Sequence, residues 1–232
     1  MSTLYIVATP IGNLEDITLR ALRVLSEVDY ILCEDTRVTN VLLKRHSIQK
    51  PLISYHQHSA LQRVQEILQY LREGKNLALV SDAGTPGISD PGNKLIEEVS
   101  KELPEVKIIP IPGPSALTAI ASVAGFPMDR FFFLGFPPVK KGRKKFFEEV
   151  ATSSHPVIFY ESPYRIIKSL EELQGILRDS PAAENYSIVV GRELTKKFET
   201  IYRGTTAEVA KQLKREVPKG EFVVIVRIDG RE

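Results

Sequence analysis

Three short segments carry glycine and proline where an α/β chain meets a ligand: Thr9-Pro10-Ile11-Gly12-Asn13, Ser81 to Ile88 (SDAGTPGI), and Pro112-Gly113-Pro114-Ser115-Ala116. Each follows an apolar, β-rich run, and open α/β sheets bind ligands outside the carboxyl ends of their strands. Glycine lets a backbone approach a ligand closely and proline stiffens the turn. One such segment is ordinary punctuation; three at strand ends indicate a cradle. Two carboxylates, Asp35 and Glu161, also stand just past strand candidates, where a proton acceptor could act. Each has a structural alternative: Asp35 with Thr36 can cap a helix from Arg37 to His46, and Glu161 can hold a backbone turn. Arg37 is placed to grip a phosphate. Lys140-Lys141-Gly142-Arg143-Lys144-Lys145 puts five cations in six residues, just before a helical run from Phe146 to Ala151. Cations at a helix start oppose the macrodipole. That placement, with Pro137-Pro138 upstream, favours a mobile phosphate-binding loop over a merely solvated face, and Lys196 and Lys197 extend the patch.

Other chemistries lack their signatures. No G-x-G-x-x-G follows the first strand candidate, and no G-x-x-x-x-G-K-[ST] occurs. His46, His56, His58 and His155 have no metal-ligand spacing, so no metal is expected. The single Cys33 cannot form an internal disulfide, which fits a reducing compartment. No segment reads as a signal peptide or a membrane span, and a net charge of +2 leaves any anionic partner to a local patch. These features predict a cytoplasmic protein.

The elements that must position these residues alternate along the chain. Leu4 to Ala8, Tyr30 to Cys33, Leu77 to Val80 and Val106 to Ile111 read as buried strands, followed by Phe131 to Leu134, Pro156 to Tyr160, Tyr186 to Val190 and Phe222 to Ile228. Helix starts fall between them: Ser59 with Gln62, Asp90-Pro91, near Arg143, Ser162-Pro163, and Thr205 with Glu208. The pattern predicts an α/β fold with largely parallel sheets. Turn residues at Ile111-Pro112-Gly113-Pro114 divide it into two small α/β domains, 1–112 and 113–232.

The segments TPIGNLEDIT (9–18), EDTR (34–37), SDAGTP (81–86), PGPS (112–115), FYESP (159–163) and GRELTK (191–196) resemble the tetrapyrrole methylase superfamily, and more narrowly its ribosomal RNA small subunit methyltransferase I family. The likeness runs from residue 3 to about residue 228. Superfamily members acting on corrin and sirohaem precursors usually carry G-x-G-P-G-D and G-D-P loops, where this chain has Thr9 to Asn13 and Gly84-Thr85-Pro86. That departure favours RNA over a tetrapyrrole substrate.

The resemblance implies two α/β domains of the tetrapyrrole methylase type with S-adenosylmethionine folded in the cleft between them. It implies methyl transfer to the ribose 2′-hydroxyl of a cytidine in the decoding region of 16S rRNA, within the small ribosomal subunit, by a homodimer. Carried over by position, the cofactor residues are Pro10 and Ile11; Gly84, Thr85 and Ile88; Ser115 and Ala116; Tyr160; Arg192, Glu193 and Leu194; and Gly220 and Glu221. Asp35 and Glu161 become the candidate bases for the hydroxyl. Arg37, Lys140, Lys141, Arg143, Lys144, Lys145, Lys196 and Lys197 become the candidate RNA contacts. Two other readings stay open: a methylase of an anionic tetrapyrrole, and a ribosome-binding protein that keeps the fold without catalysis.

Overall fold

The computed structural model describes residues 2–56, 61–90, 92–178, 185–215 and 218–228. It divides into two compact units, Met1–Ser115 and Ala116–Glu232. The sequence places the division at residue 112. The Pro112-to-Ser115 loop goes with the first unit because the Thr85 hydroxyl donates to the Pro114 carbonyl at 3.2 Å.

The first unit runs β1 (Thr3–Val7), α1 (Leu19–Glu27), β2 (Tyr30–Cys33), α2 (Thr36–Arg45), β3 (Leu52–Ser54), α3 (Leu61–Arg72), β4 (Leu77–Val80), α4 (Asn93–Glu102) and β5 (Lys107–Ile111). Its sheet is wholly parallel, in the order β3-β2-β4-β1-β5. Side chains alternate across the pleat, so a strand buried on both faces is apolar at every position. Leu77 and Leu79 pack with Ile67 and Leu68 of α3 and with Leu95 and Val99 of α4. Ala78 and Val80 point the other way, onto Ala21, Val24 and Leu25 of α1 and Leu42 and Leu43 of α2. Pro110 is tolerated because β5 is an edge strand, paired only with β1.

Helix starts follow local chemistry. Thr18 caps α1 by accepting from the Ala21 N–H at 3.0 Å, and Asp35 caps α2 by accepting from the Arg37 N–H at 2.8 Å. Asp90-Pro91 is not the cap of α4: Gly92 occupies that position without a side-chain bond, and Pro91 lies outside the described residues. Ser59 and His58 also lie outside them.

The second unit runs α5 (Ala116–Ser122), β6 (Phe132–Phe133), α6 (Arg143–Thr152), β7 (Val157–Glu161), α7 (Ile166–Arg178), β8 (Tyr186–Arg192), β9 (Thr200–Gly204), α8 (Thr206–Leu213) and β10 (Phe222–Ile228). Its sheet order is β6-β7-β10-β8-β9. Among the described residues only β6 and β7 pair in parallel; β10 runs antiparallel to both neighbours, and β8 and β9 form a hairpin. The expectation of a largely parallel sheet therefore fails here. Phe146, Phe147, Leu170, Leu173, Val209 and Leu213 from α6, α7 and α8 cover one face, against Val157, Phe159, Val190 and Val224. On the other face α5 approaches β8 so closely that a Cβ on Gly191 would lie 2.9 Å from Ile120 Cδ1. Thr205 caps α8 in a capping box with Glu208, as its sequence predicts.

Candidate functional site

The strand-end loops of the first unit are knitted together. Thr9 and Gly84 form an antiparallel bridge, with N–H to carbonyl distances of 2.9 and 3.0 Å. The Thr9 hydroxyl donates to the Ser81 carbonyl at 3.0 Å, and the Ser81 hydroxyl to the Gly84 carbonyl at 3.1 Å. The loop after β1 is thus fastened to the loop after β4, which Thr85 fastens to the loop after β5. Gly84 has φ +86°, a conformation that disfavours any side chain, and a Cβ there would lie 3.4 Å from Ile11 Cγ2 and 3.7 Å from the Pro114 carbonyl. The notch between those two residues exists because position 84 has no side chain. Pro10 and Ile11 are buried, Thr85 and Ser115 half-buried, and Ile88 exposed. Ala116 opens α5 in the second unit. Beside the first two loops, Thr9, Pro10, Leu14, Val38, Val41 and Ser81 are among the residues lining a partly apolar cavity of about 230 Å³.

A second hollow of about 510 Å³ opens over the ends of β2, β3 and β4, lined by Glu34, Asp35, Thr36, Arg37, Ser54, His56 and Asp82. The Arg37 guanidinium grips Asp35 with Nε at 3.0 Å and an Nη at 2.6 Å, so a phosphate would have to compete with that carboxylate. The Arg37 side chain and then its backbone N–H hold the Asp35 carboxyl at about 2, well below the ordinary range. Such a group is a weak base, and its helix-capping role is the one visible in the geometry. Asp90, to which the sequence assigns no chemical role, behaves differently. Burial, then the charges of Glu34 and Asp82, push its carboxyl up to about 6, against a hydrogen bond from Ser81. Asp82 and Asp90 bracket the second loop in sequence, but spacing alone gives no sign that they converge.

In the second unit, Glu161 is buried and engaged on both oxygens. One accepts from the Ser162 N–H and an Arg165 Nη, each at 2.8 Å; the other accepts from the Ser169 hydroxyl at 2.5 Å and faces an Arg143 Nη at 3.8 Å. Arg143 is correspondingly buried, its other nitrogens reaching Glu172 Oε2 at 2.6 Å and Ser169 Oγ at 2.7 Å. Two expectations are corrected by this geometry. Glu161 is the hub of a closed polar network and has no oxygen open to a substrate. Arg143 is an internal cation, because helical phase places it with Phe146, Phe147 and Val150 on the core face of α6. Lys140, Lys141, Lys144 and Lys145 are exposed. The loop before them is not free: Arg143 and Arg165 donate to the carbonyls of Pro138 and Pro137 at 3.2 and 3.1 Å.

Tyr160, at the end of β7, packs its ring against Phe133 and Phe136, with centroids 5.0 and 5.5 Å away. The residues from Arg192 to Leu194 and the pair Gly220-Glu221, distant in sequence, come together. The Glu193 N–H donates to the Glu221 carbonyl at 3.0 Å, and the Glu221 N–H to the Glu193 carboxylate at 2.9 Å. Gly220, at φ +89°, is required: a Cβ would overlap the Glu193 side chain at 2.2 Å. Glu193 itself sits at φ +50°, uncommon for a residue with a side chain. Lys196 binds Glu193 and Glu221 at 2.9 and 2.7 Å, so it closes this loop and is not a spare cation for RNA. Lys197 is exposed over the Phe198 ring. Among the described residues, no group of three or more His, Cys, Asp or Glu side chains is placed to hold a metal ion, and no helix is long and apolar enough to cross a membrane.

Residues 3–210 match the family model described as Tetrapyrrole (Corrin/Porphyrin) Methylases. The chain is 44% identical over 232 residues, spanning the whole of both chains, to Ribosomal RNA small subunit methyltransferase I of Thermotoga maritima. It is also 44% identical over 226 residues to the protein of that name from Escherichia coli O157:H7, covering 96% of this chain and 77% of that one. The X-ray structure of a cobalt precorrin-4 methyltransferase matches with a TM-score of 0.69 at 20% identity, over 96% of this chain and 94% of that one, a likeness of fold alone. The chain belongs to the tetrapyrrole methylases and, within them, to the ribosomal RNA small subunit methyltransferase I family.

Proposed function

We propose that this protein transfers the methyl group of S-adenosylmethionine to the ribose 2′-hydroxyl of a cytidine in the decoding region of 16S rRNA. Full-length identity of 44% to a ribosomal RNA small subunit methyltransferase is the observation that carries the reading. The bridged loops at Thr9 and Gly84 support it, because they offer a rigid backbone cradle with a notch that a side chain would fill. The cofactor supplies an electrophilic methyl on a sulfonium. The protein's task is to hold the hydroxyl oxygen in line with that carbon and to keep competing water away.

Pro10, Ile11, Gly84, Thr85 and Ser115 hold the cofactor in the first unit, with Ile88 at the loop's exposed end. Tyr160, the stretch from Arg192 to Leu194, Gly220-Glu221 and Ala116 are the further cofactor residues that the resemblance implies. Lys140, Lys141, Lys144 and Lys145 meet RNA phosphates. Displacement breaks the sulfur–methyl bond to leave a neutral thioether and releases the hydroxyl proton to solvent, so the step needs no Lewis acid. The protein acts in the cytoplasm, as a homodimer. Small ribosomal subunits lacking the modification, incubated with methyl-labelled cofactor, should take up label in their rRNA. Uptake into an anionic tetrapyrrole instead would transfer the protein to the other branch of the superfamily, and cofactor binding with no transfer would favour a ribosome-binding role.

A further inference from the structure

The loops after β6 and β7 present apolar and aromatic side chains that the fold leaves exposed. These strands pair in parallel, Phe132 with Val157 and Phe133 with Ile158, so both loops leave the same end of the sheet. The first exposes Phe136 at 51% and Val139 at 70%, and the second exposes Tyr164 at 95%. An aromatic ring left in water contributes almost nothing to folding. Yet the backbone carrying these rings is held firmly. The Tyr160 N–H donates to the Gly135 carbonyl at 2.9 Å, and the guanidiniums of buried Arg143 and half-buried Arg165 hold the carbonyls of Pro138 and Pro137. Glu161 holds the Arg165 guanidinium, and Ser169 and Glu172 accept from that of Arg143.

Cations follow Phe136 closely along the chain. Lys140 and Lys141 lie in the same loop, and Lys144 and Lys145 in the first turn of α6, all exposed. Lys144 has Glu148 at 3.6 Å; among the described residues no carboxylate pairs with Lys140, Lys141 or Lys145. Exposed aromatics set among unpaired lysines suit unstacked nucleic acid, whose bases stack on rings while the lysines follow the phosphates. A duplex would keep its base faces to itself, and an apolar partner would have no use for the cations.

We propose that Phe136 and Tyr164 are base-stacking residues, which receive unpaired nucleotides of the RNA while the neighbouring lysines hold its backbone. The proposal rests on the rRNA reading above and adds the mode of recognition: splayed single strand, not a helix read through its groove. Because Phe136 packs against Tyr160, the stacked base lies beside a residue assigned to the cofactor.

The test uses the full chain, small ribosomal subunits, and a protein-free single-stranded RNA carrying 2-aminopurine, with its duplex form as comparison. Tyr164→Ala should weaken binding to the subunit and to the single strand by about fivefold to a hundredfold, the range for removing one base–ring stack, and relieve 2-aminopurine quenching. Phe136→Ala should act in the same direction. Tyr164→Phe should restore both readouts. Stacking releases no counterions, so Tyr164→Ala should keep the wild-type salt slope, whereas Lys140→Gln with Lys141→Gln should reduce it. Unchanged affinity and quenching in Tyr164→Ala, or wild-type preference for the duplex, would overturn the proposal. Weaker binding to the intact subunit with unchanged binding to protein-free RNA would also overturn it and assign the surface to a ribosomal protein. Methyl transfer by the wild type, run alongside, tests the underlying reading separately: its absence counts against that reading, while its presence with an unaffected Tyr164→Ala removes only the stacking role.

Discussion

Replacing Glu161 with glutamine separates a structural carboxylate from a chemical one. In the folded protein its oxygens meet two guanidiniums, a hydroxyl and a backbone N–H, all within 3.8 Å, and the side chain is essentially without solvent. Glutamine has nearly the same shape but no charge, and it replaces one acceptor oxygen with a donor. Arg143 keeps Glu172 at 2.6 Å, a partner whose side chain is a third exposed, while Arg165 has no other carboxylate among the described residues. Breaking a buried pair by removing one member costs about 3 to 5 kcal/mol. For a chain of this size each kcal/mol is worth roughly 2 to 4 °C in melting temperature, so Glu161→Gln should lower it by roughly 6 to 20 °C. Thermal unfolding followed by circular dichroism, with methyl transfer assayed well below the transition, reads both effects. The variant should remain active at low temperature and lose stability. Unaltered melting with methyl transfer abolished would return Glu161 to the chemistry.

Other perturbations probe the loops, the lysines and the raised carboxyl. Gly84→Val places a β-branched side chain at φ +86° and into the notch beside Ile11, so calorimetry should find cofactor binding abolished, with roughly 1 to 2 kcal/mol of stability lost to the backbone strain; undiminished affinity would place the cofactor elsewhere. Neutralising Lys140, Lys141, Lys144 and Lys145 should weaken RNA binding and flatten the log–log salt dependence by about 0.7 to 0.9 for each phosphate no longer neutralised, with cofactor affinity unchanged; an equal effect from neutralising Lys211 and Lys214, at the end of α8, would deny the stretch a special role. Asp90 keeps its proton up to about pH 6 when folded but releases it near its ordinary value of 3.8 when unfolded, so stability should fall as pH rises between those values and stay lower above them. Asp90→Asn should therefore melt higher than the wild type at neutral pH, the gap closing toward pH 4; parallel melting curves across that window would contradict it.

Particular residues explain which of these features were legible in the sequence. Strand-end loops were legible because the turns at Gly84 and Pro112 to Ser115 require particular backbone chemistry. Caps at Asp35 and Thr205 were legible because their partners are two and three residues away. The short edge strands β3 and β9 were not: Leu52–Ser54 is too brief for any periodicity, and Thr200–Gly204 is polar and half-exposed, being paired on one side only. The antiparallel second sheet was hidden because the same apolar runs suit either direction. Arg143 looks like its neighbours in a basic run, although its spacing of three, four and seven residues to Phe146, Phe147 and Val150 marks an inward face. Its partner Glu161 is distant in sequence, and only tertiary structure joins them. The approach of Asp90 to Glu34 and Asp82 is likewise a product of packing, with no sequence signal beyond two aspartates flanking a loop.

The acceptor atom defines the reaction, and nucleoside analysis of the rRNA identifies it. Small ribosomal subunits from cells lacking this activity should be incubated with the protein and S-adenosylmethionine, and the rRNA digested to nucleosides for mass spectrometry. One new 2′-O-methylcytidine is expected, traceable by fragment mapping to the decoding region of 16S rRNA. A methyl group found on a base, on another ribose, or on no nucleotide at all would contradict it.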